Sequence, residues 1–172
     1  MRDREPACAE PAAAGREAAP AGRGAAIAYA FINRRERTVS EVRERLARAE
    51  VSEAEAESVL DELISFGYLD DARYARLYAQ DRQALDSWGR ERIARALAQR
   101  GVAGELIEAA LAAAGADDAA ERARAVGLLD ERFPTGPREQ RDRERAYGLL
   151  VRRGYDSEAA ADAVREWRRR AR

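Results

Sequence analysis

One apolar skeleton occurs three times along this chain of 172 residues. Leu46/Val51/Leu60, Leu97/Val102/Leu111 and Leu150/Tyr155/Val164 share their internal spacing and are offset by 51 and then 53 residues. A fixed period of this length marks a repeat protein, in which units that cannot bury their apolar faces alone stack and present an extended surface. Binding is therefore the first functional class to consider.

The gaps in the skeleton read as helix ends. With Gly101 as the left-handed residue after a helix, Val102 and Leu97 form the apolar contact of a Schellman turn, and Gly154, Tyr155 and Leu150 repeat it. Val102 and Tyr155 then staple the next helix against Ile107 and Ala160. In the first unit Glu50 stands at the glycine position, where a left-handed backbone costs roughly 1 kcal/mol, so a different turn is expected there.

From about Ala25 the pattern is helical. Ala26, Tyr29, Ala30 and Asn33 form a stripe broadened by Ile27 and Phe31. Thr38 with Glu41, and Ser52 with Glu55, read as capping boxes for the next two helices, and Gly67 ends the third with Tyr68 reaching back to Leu63. Asp70 caps the following helix, with Asp71 at its positive end and Leu69 placed to staple against Tyr74. Further helices are predicted near 71–84, 89–100, 103–113, 117–132, 138–153 and 156–170, and no strand signal occurs. The expected fold is all-α, a tandem array of three three-helix repeats at 25–69, 70–115 and 116–172, behind a disordered Ala/Pro/Gly-rich tail at 1–24.

Missing residue types exclude whole chemistries. With no His and with all 31 basic residues Arg, there is no histidine base or ligand, no Schiff-base amine and no phosphate-binding lysine. The lone thiol, Cys8, allows neither a disulfide nor a cysteine metal site within the chain and fits a reducing, cytoplasmic setting. No leader pattern or membrane span is read, and no cofactor or metal is expected. Asp70-Asp71 and Asp117-Asp118 fall at helix starts, where capping accounts for them without catalysis.

The segment Gly67-Tyr68-Leu69-Asp70-Asp71-Ala72-Arg73-Tyr74-Ala75-Arg76-Leu77-Tyr78, followed by Ser87-Trp88-Gly89, Ile93, Leu97 and Arg100-Gly101-Val102, resembles the RecX regulatory proteins. The resemblance implies an elongated, curved array of three-helix repeats that binds the RecA recombinase and its DNA filament as a monomer. It further implies inhibition of strand exchange and ATP hydrolysis, a role in DNA repair and the SOS response, and no enzymatic activity. Gly67, Tyr68, Leu69, Asp70, Asp71, Tyr74, Tyr78, Gly89, Leu97, Gly101 and Val102 carry the family motif, and caps and core suffice to explain them.

Charge placement points to the binding surface. The total of −1 hides net charges of −4 at 34–70, +3 at 71–101, −4 at 102–137 and +4 at 138–172. On the helix at 71–84, Tyr74, Leu77 and Tyr78 are expected inward, with Arg73, Arg76, Gln80 and Gln83 opposite. Arg92, Arg95 and Gln99 oppose Ile93 and Leu97 on the next helix of the same unit, and Arg165, Arg168 and Arg169 oppose Trp167 near the C-terminus. Arg73, Arg76, Arg92, Arg95, Arg165, Arg168 and Arg169 are the candidate contacts to RecA or DNA, and Trp88 is expected to pack between helices. The rival reading is helix-turn-helix DNA binding. Against it, the helix after Ser52 opens with Glu53, Glu55 and Glu57, and 103–113 holds no Arg, which leaves room only for weak non-specific binding.

Overall fold

A computed structural model describes residues 22–115 and 118–170; Cys8, Asp117 and nearly all of the tail lie outside the described residues. Among these residues nine helices and no strands occur: α1 (Arg23–Ile32), α2 (Val39–Arg48), α3 (Glu53–Ser65), α4 (Asp71–Asp86), α5 (Arg90–Ala98), α6 (Gly104–Ala113), α7 (Asp118–Arg132), α8 (Gln140–Arg153) and α9 (Ser157–Arg170). Helix α1 takes in Arg23 and Gly24, which the tail boundary had excluded.

The helices gather in threes, each trio around its own apolar cluster. Val42, Leu46, Leu60 and Leu63 centre the first, Ile93, Leu97 and Leu111 the second, and Leu129, Leu150, Tyr155 and Trp167 the third. Apart from half-buried Val51, every residue of the repeated skeleton is buried. Two expected faces shift. Helix α1 buries Gly24, Ala25 and Ala28 and exposes Ala26 and Ala30, because small residues let it lie close against its neighbours. Helix α4 buries Tyr74, Ala75, Ala79 and Gln83, while Leu77 stays exposed, so its inward stripe is rotated from the expected one. Leu69 joins the cluster of the first trio, whereas Tyr74 belongs to the second.

Caps fix where the helices begin. Thr38 and Glu41 form the full reciprocal box, and Asp70 accepts from the Arg73 amide at 2.8 Å. Ser52 accepts from the Glu55 amide at 3.3 Å, but the Glu55 carboxylate takes the Gly24 amide at 2.7 Å, tying α1 to α3 instead of closing a box. All three middle-helix turns are alike. Amides of Val51, Val102 and Tyr155 donate to the carbonyls of Leu46, Leu97 and Leu150 at 3.2, 3.3 and 3.1 Å. Glu50 adopts φ 56° beside 76° for Gly101 and 89° for Gly154, so the different turn expected in the first unit is not formed.

Two matching joints link the trios. At the first, the Thr38 hydroxyl donates to the Arg100 carbonyl at 2.6 Å and the Val39 amide donates to Asp71 at 2.9 Å. At the second, the Gly89 amide donates to the Arg153 carbonyl at 2.9 Å and the Arg90 amide donates to Glu121 at 2.9 Å. In each, the start of one middle helix abuts the end of the next, and an acid from the following trio satisfies its free amide. The contact is close enough that a Cβ on Gly101 would collide with Ser40, and one on Gly154 with Arg92. Glycine there answers both a left-handed backbone and a close approach.

Candidate interaction groove

The second joint leaves a groove of about 610 Å³ between the middle helices α5 and α8. Helix α5 buries Ile93 and Leu97 completely, which sends Arg92, Arg95 and Gln99 outward along one face. Tyr78 of α4 and Trp88 of the α4–α5 turn form one wall, and Val151, Arg152 and Gly154 at the end of α8 form the other.

Aromatic rings and guanidiniums alternate across this wall. Tyr74 stacks on Tyr78 with centroids 6.0 Å apart, and Tyr78 meets Trp88 edge to face at 6.4 Å. Arg92 lies 4.1 Å from the Trp88 centroid, Arg100 lies 4.9 Å from that of Tyr78, and Arg82 lies 5.4 and 5.7 Å from the two rings. Backbone carbonyls steady the cations further: Arg92 donates to the Arg152 carbonyl at 3.1 Å and Arg100 to that of Ala96 at 2.6 Å. Among the described residues Arg92, Arg100 and Arg152 have no carboxylate partner, whereas Arg95 faces Glu91 at 3.9 Å.

The other candidate arginines lie elsewhere. Arg73 is 3.8 Å from Glu36 of the first trio, and Arg76 is exposed. Arg165 pairs with Asp162, while Arg168 and Arg169 project from α9 and do not line the groove. Trp88 packs on the second cluster, as expected, yet also forms groove wall.

The motif residues divide between core, caps and joints. Leu69, Leu97, Val102 and Tyr74 are buried, Asp70 caps its own helix, and Asp71 caps the preceding trio's α2. Burial holds Asp71 above the ordinary carboxylate range, against the pull of the Val39 amide. A Cβ on Gly89 would strike the Gly154 carbonyl, whereas Gly67, at φ 71°, faces open space. Tyr68 is exposed, its ring 5.5 Å from that of Tyr29. Arg152 was not singled out in the sequence, and Arg100 was named only within the family segment, not as a contact. For Arg152 the available signal was its place near the turn glycine Gly154, which gains meaning only when the second joint brings that turn onto α5.

Family models agree with this architecture. The one described as the first three-helix domain of RecX matches residues 26–63, and the second three-helix domain matches 70–111. The regulatory protein RecX of Mycolicibacterium vanbaalenii is 32% identical over 167 residues, covering 92% of this chain and 90% of the relative. The chain belongs to the RecX family. The RecX of Thermobifida fusca is 34% identical over 167 residues, covering 90% of this chain and 89% of that one. A crystal structure of RecX from Lactobacillus salivarius shares the fold with a TM-score of 0.73 at 20% identity, over 84% of this chain and 94% of that one. The matched RecX domains correspond to α1–α3 and α4–α6, so one wall of the groove, from α4 and α5, belongs to the second RecX domain and the other to the third trio. No helix among the described residues is long and apolar enough to cross a membrane.

Proposed function

We propose that this chain is a non-enzymatic regulator that binds RecA on DNA in the cytoplasm and restrains strand exchange and ATP hydrolysis, with effects on DNA repair and the SOS response. Its membership of the RecX family over nearly the whole chain carries this reading. The groove supports it, since guanidiniums held ready on aromatic faces suit an acidic partner surface.

The test is inhibition of RecA ATP hydrolysis on single-stranded DNA by the parent chain and by a variant with Arg73, Arg76, Arg92 and Arg95 all changed to Gln. The parent is expected to inhibit, and the variant to need at least about tenfold more protein, roughly 1.4 kcal/mol of lost binding, at unchanged helicity. Full inhibition by the folded variant refutes the assigned arginines, and no effect of the parent refutes the function. Direct helix-turn-helix recognition of DNA is disfavoured by exposed Glu53 in the first turn of α3, where it would face phosphate.

A further inference from the structure

We infer that the groove at the second joint is a docking site for an acidic peptide segment, whose carboxylates are taken by Arg92, Arg100 and Arg152. This rests on the reading that the groove faces a partner protein, and not on which protein that is.

The first support is unspent bonding capacity. A guanidinium carries five donors. Arg92 and Arg100 each spend one on a backbone carbonyl, at 3.1 and 2.6 Å, and meet no carboxylate among the described residues. The rings beneath them restrict both guanidiniums, so little further order is lost when a carboxylate arrives. Arg43 and Arg48 on α2, by contrast, are already engaged, by Glu57 at 2.9 Å and by Glu44 at 2.8 Å.

The second support separates a peptide from a nucleic acid. Single strands are held by bases stacking on bare aromatic faces along a continuous basic track. Here Arg92 already lies over Trp88 and Arg100 over Tyr78. Both walls of the groove come from basic stretches, 71–101 at net +3 and 138–172 at net +4, so carboxylates meet positive charge from either side. A short run of Asp and Glu needs no bare ring face. A groove of about 610 Å³ accommodates a few such side chains.

The experiment titrates the full chain with a synthetic twelve-residue Glu/Asp/Gly peptide and, separately, with a thymidine oligonucleotide of similar length, in moderate salt. Trp fluorescence is the readout, because Trp88 lines the groove while Trp167 is sealed in the third core. The peptide is expected to change the emission saturably, and the change should vanish in Trp88→Phe. Arg92→Gln with Arg152→Gln should weaken binding at least about tenfold, roughly 1.4 kcal/mol. Arg92→Lys should also weaken it, and Arg168→Gln with Arg169→Gln should not. No peptide binding, equal binding by the folded groove variants, or tighter binding of the oligonucleotide through the same arginines overturns the inference. RecA inhibition measured on the same variants separates the two readings. Peptide binding by a parent chain that leaves RecA unaffected removes only the RecA assignment, and inhibition without peptide binding removes only the groove's.

Discussion

Glu50 shows how a single position records its neighbourhood. It holds the left-handed backbone that Gly101 and Gly154 hold in the later units, with the same Schellman hydrogen bonds. The later glycines are also pressed by the start of the preceding middle helix, and among the described residues no middle helix precedes α2. Only the backbone cost then falls on Glu50, so a side chain is tolerated. Glu50→Gly is expected to stabilise the protein by about 0.5–1 kcal/mol, the left-handed relief less glycine's extra unfolded freedom, read as a higher urea midpoint. Gly154→Ala, which adds a collision with Arg92, should cost more than about 1 kcal/mol in the same measurement. Equal responses at the two sites would mean that backbone conformation alone matters there.

The elements meet through caps lent across the joints. Glu121 of α7 is almost wholly buried and accepts the Arg90 amide that opens α5. Burial holds its carboxyl above the ordinary range; that amide and the Arg90 and Arg124 charges oppose the rise, and Asp156 adds to it. The folded protein therefore keeps this proton to higher pH than the unfolded chain does, and stability falls as pH rises through the interval between the two values. Glu121→Gln keeps an acceptor for the Arg90 amide without the charge. It should melt above the parent near neutral pH, and the difference should close below about pH 4, where the unfolded carboxyl is itself protonated. Scanning calorimetry across that range gives the answer, and a gap that does not change with pH would count against this origin. Tyr155, whose buried phenol is pushed up to about 12, stays neutral throughout.

At the scale of the whole molecule, three separate cores are joined by hydrogen bonds and close backbone contact. Such an array keeps its helices when a joint is altered, because each trio carries its own apolar cluster. Gly89→Val places a side chain against the Gly154 carbonyl and should open the second joint. The expected result is unchanged far-ultraviolet dichroism with a larger radius of gyration by small-angle scattering. A fall in helicity to match would show that the trios depend on their joints for folding.

Periodicity alone revealed the helices, the buried skeleton and most of the caps, because these depend on residues close in the chain. The same local reasoning placed Leu77 inward on α4 and Glu50 in a different turn. Packing chose Ala75 and Ala79 for the inner face, and the turn tolerated its side chain. The seven candidate arginines were visible as outward positions, but a helical pattern does not say which outward faces meet. Only the second joint brought Arg152 beside Arg92, Arg95 and Arg100, and the first set Arg73 next to Glu36. The groove is thus a property of tertiary structure: it forms between side chains about 60 residues apart, linked as Arg92 is to the Arg152 carbonyl, and no local spacing encodes that approach.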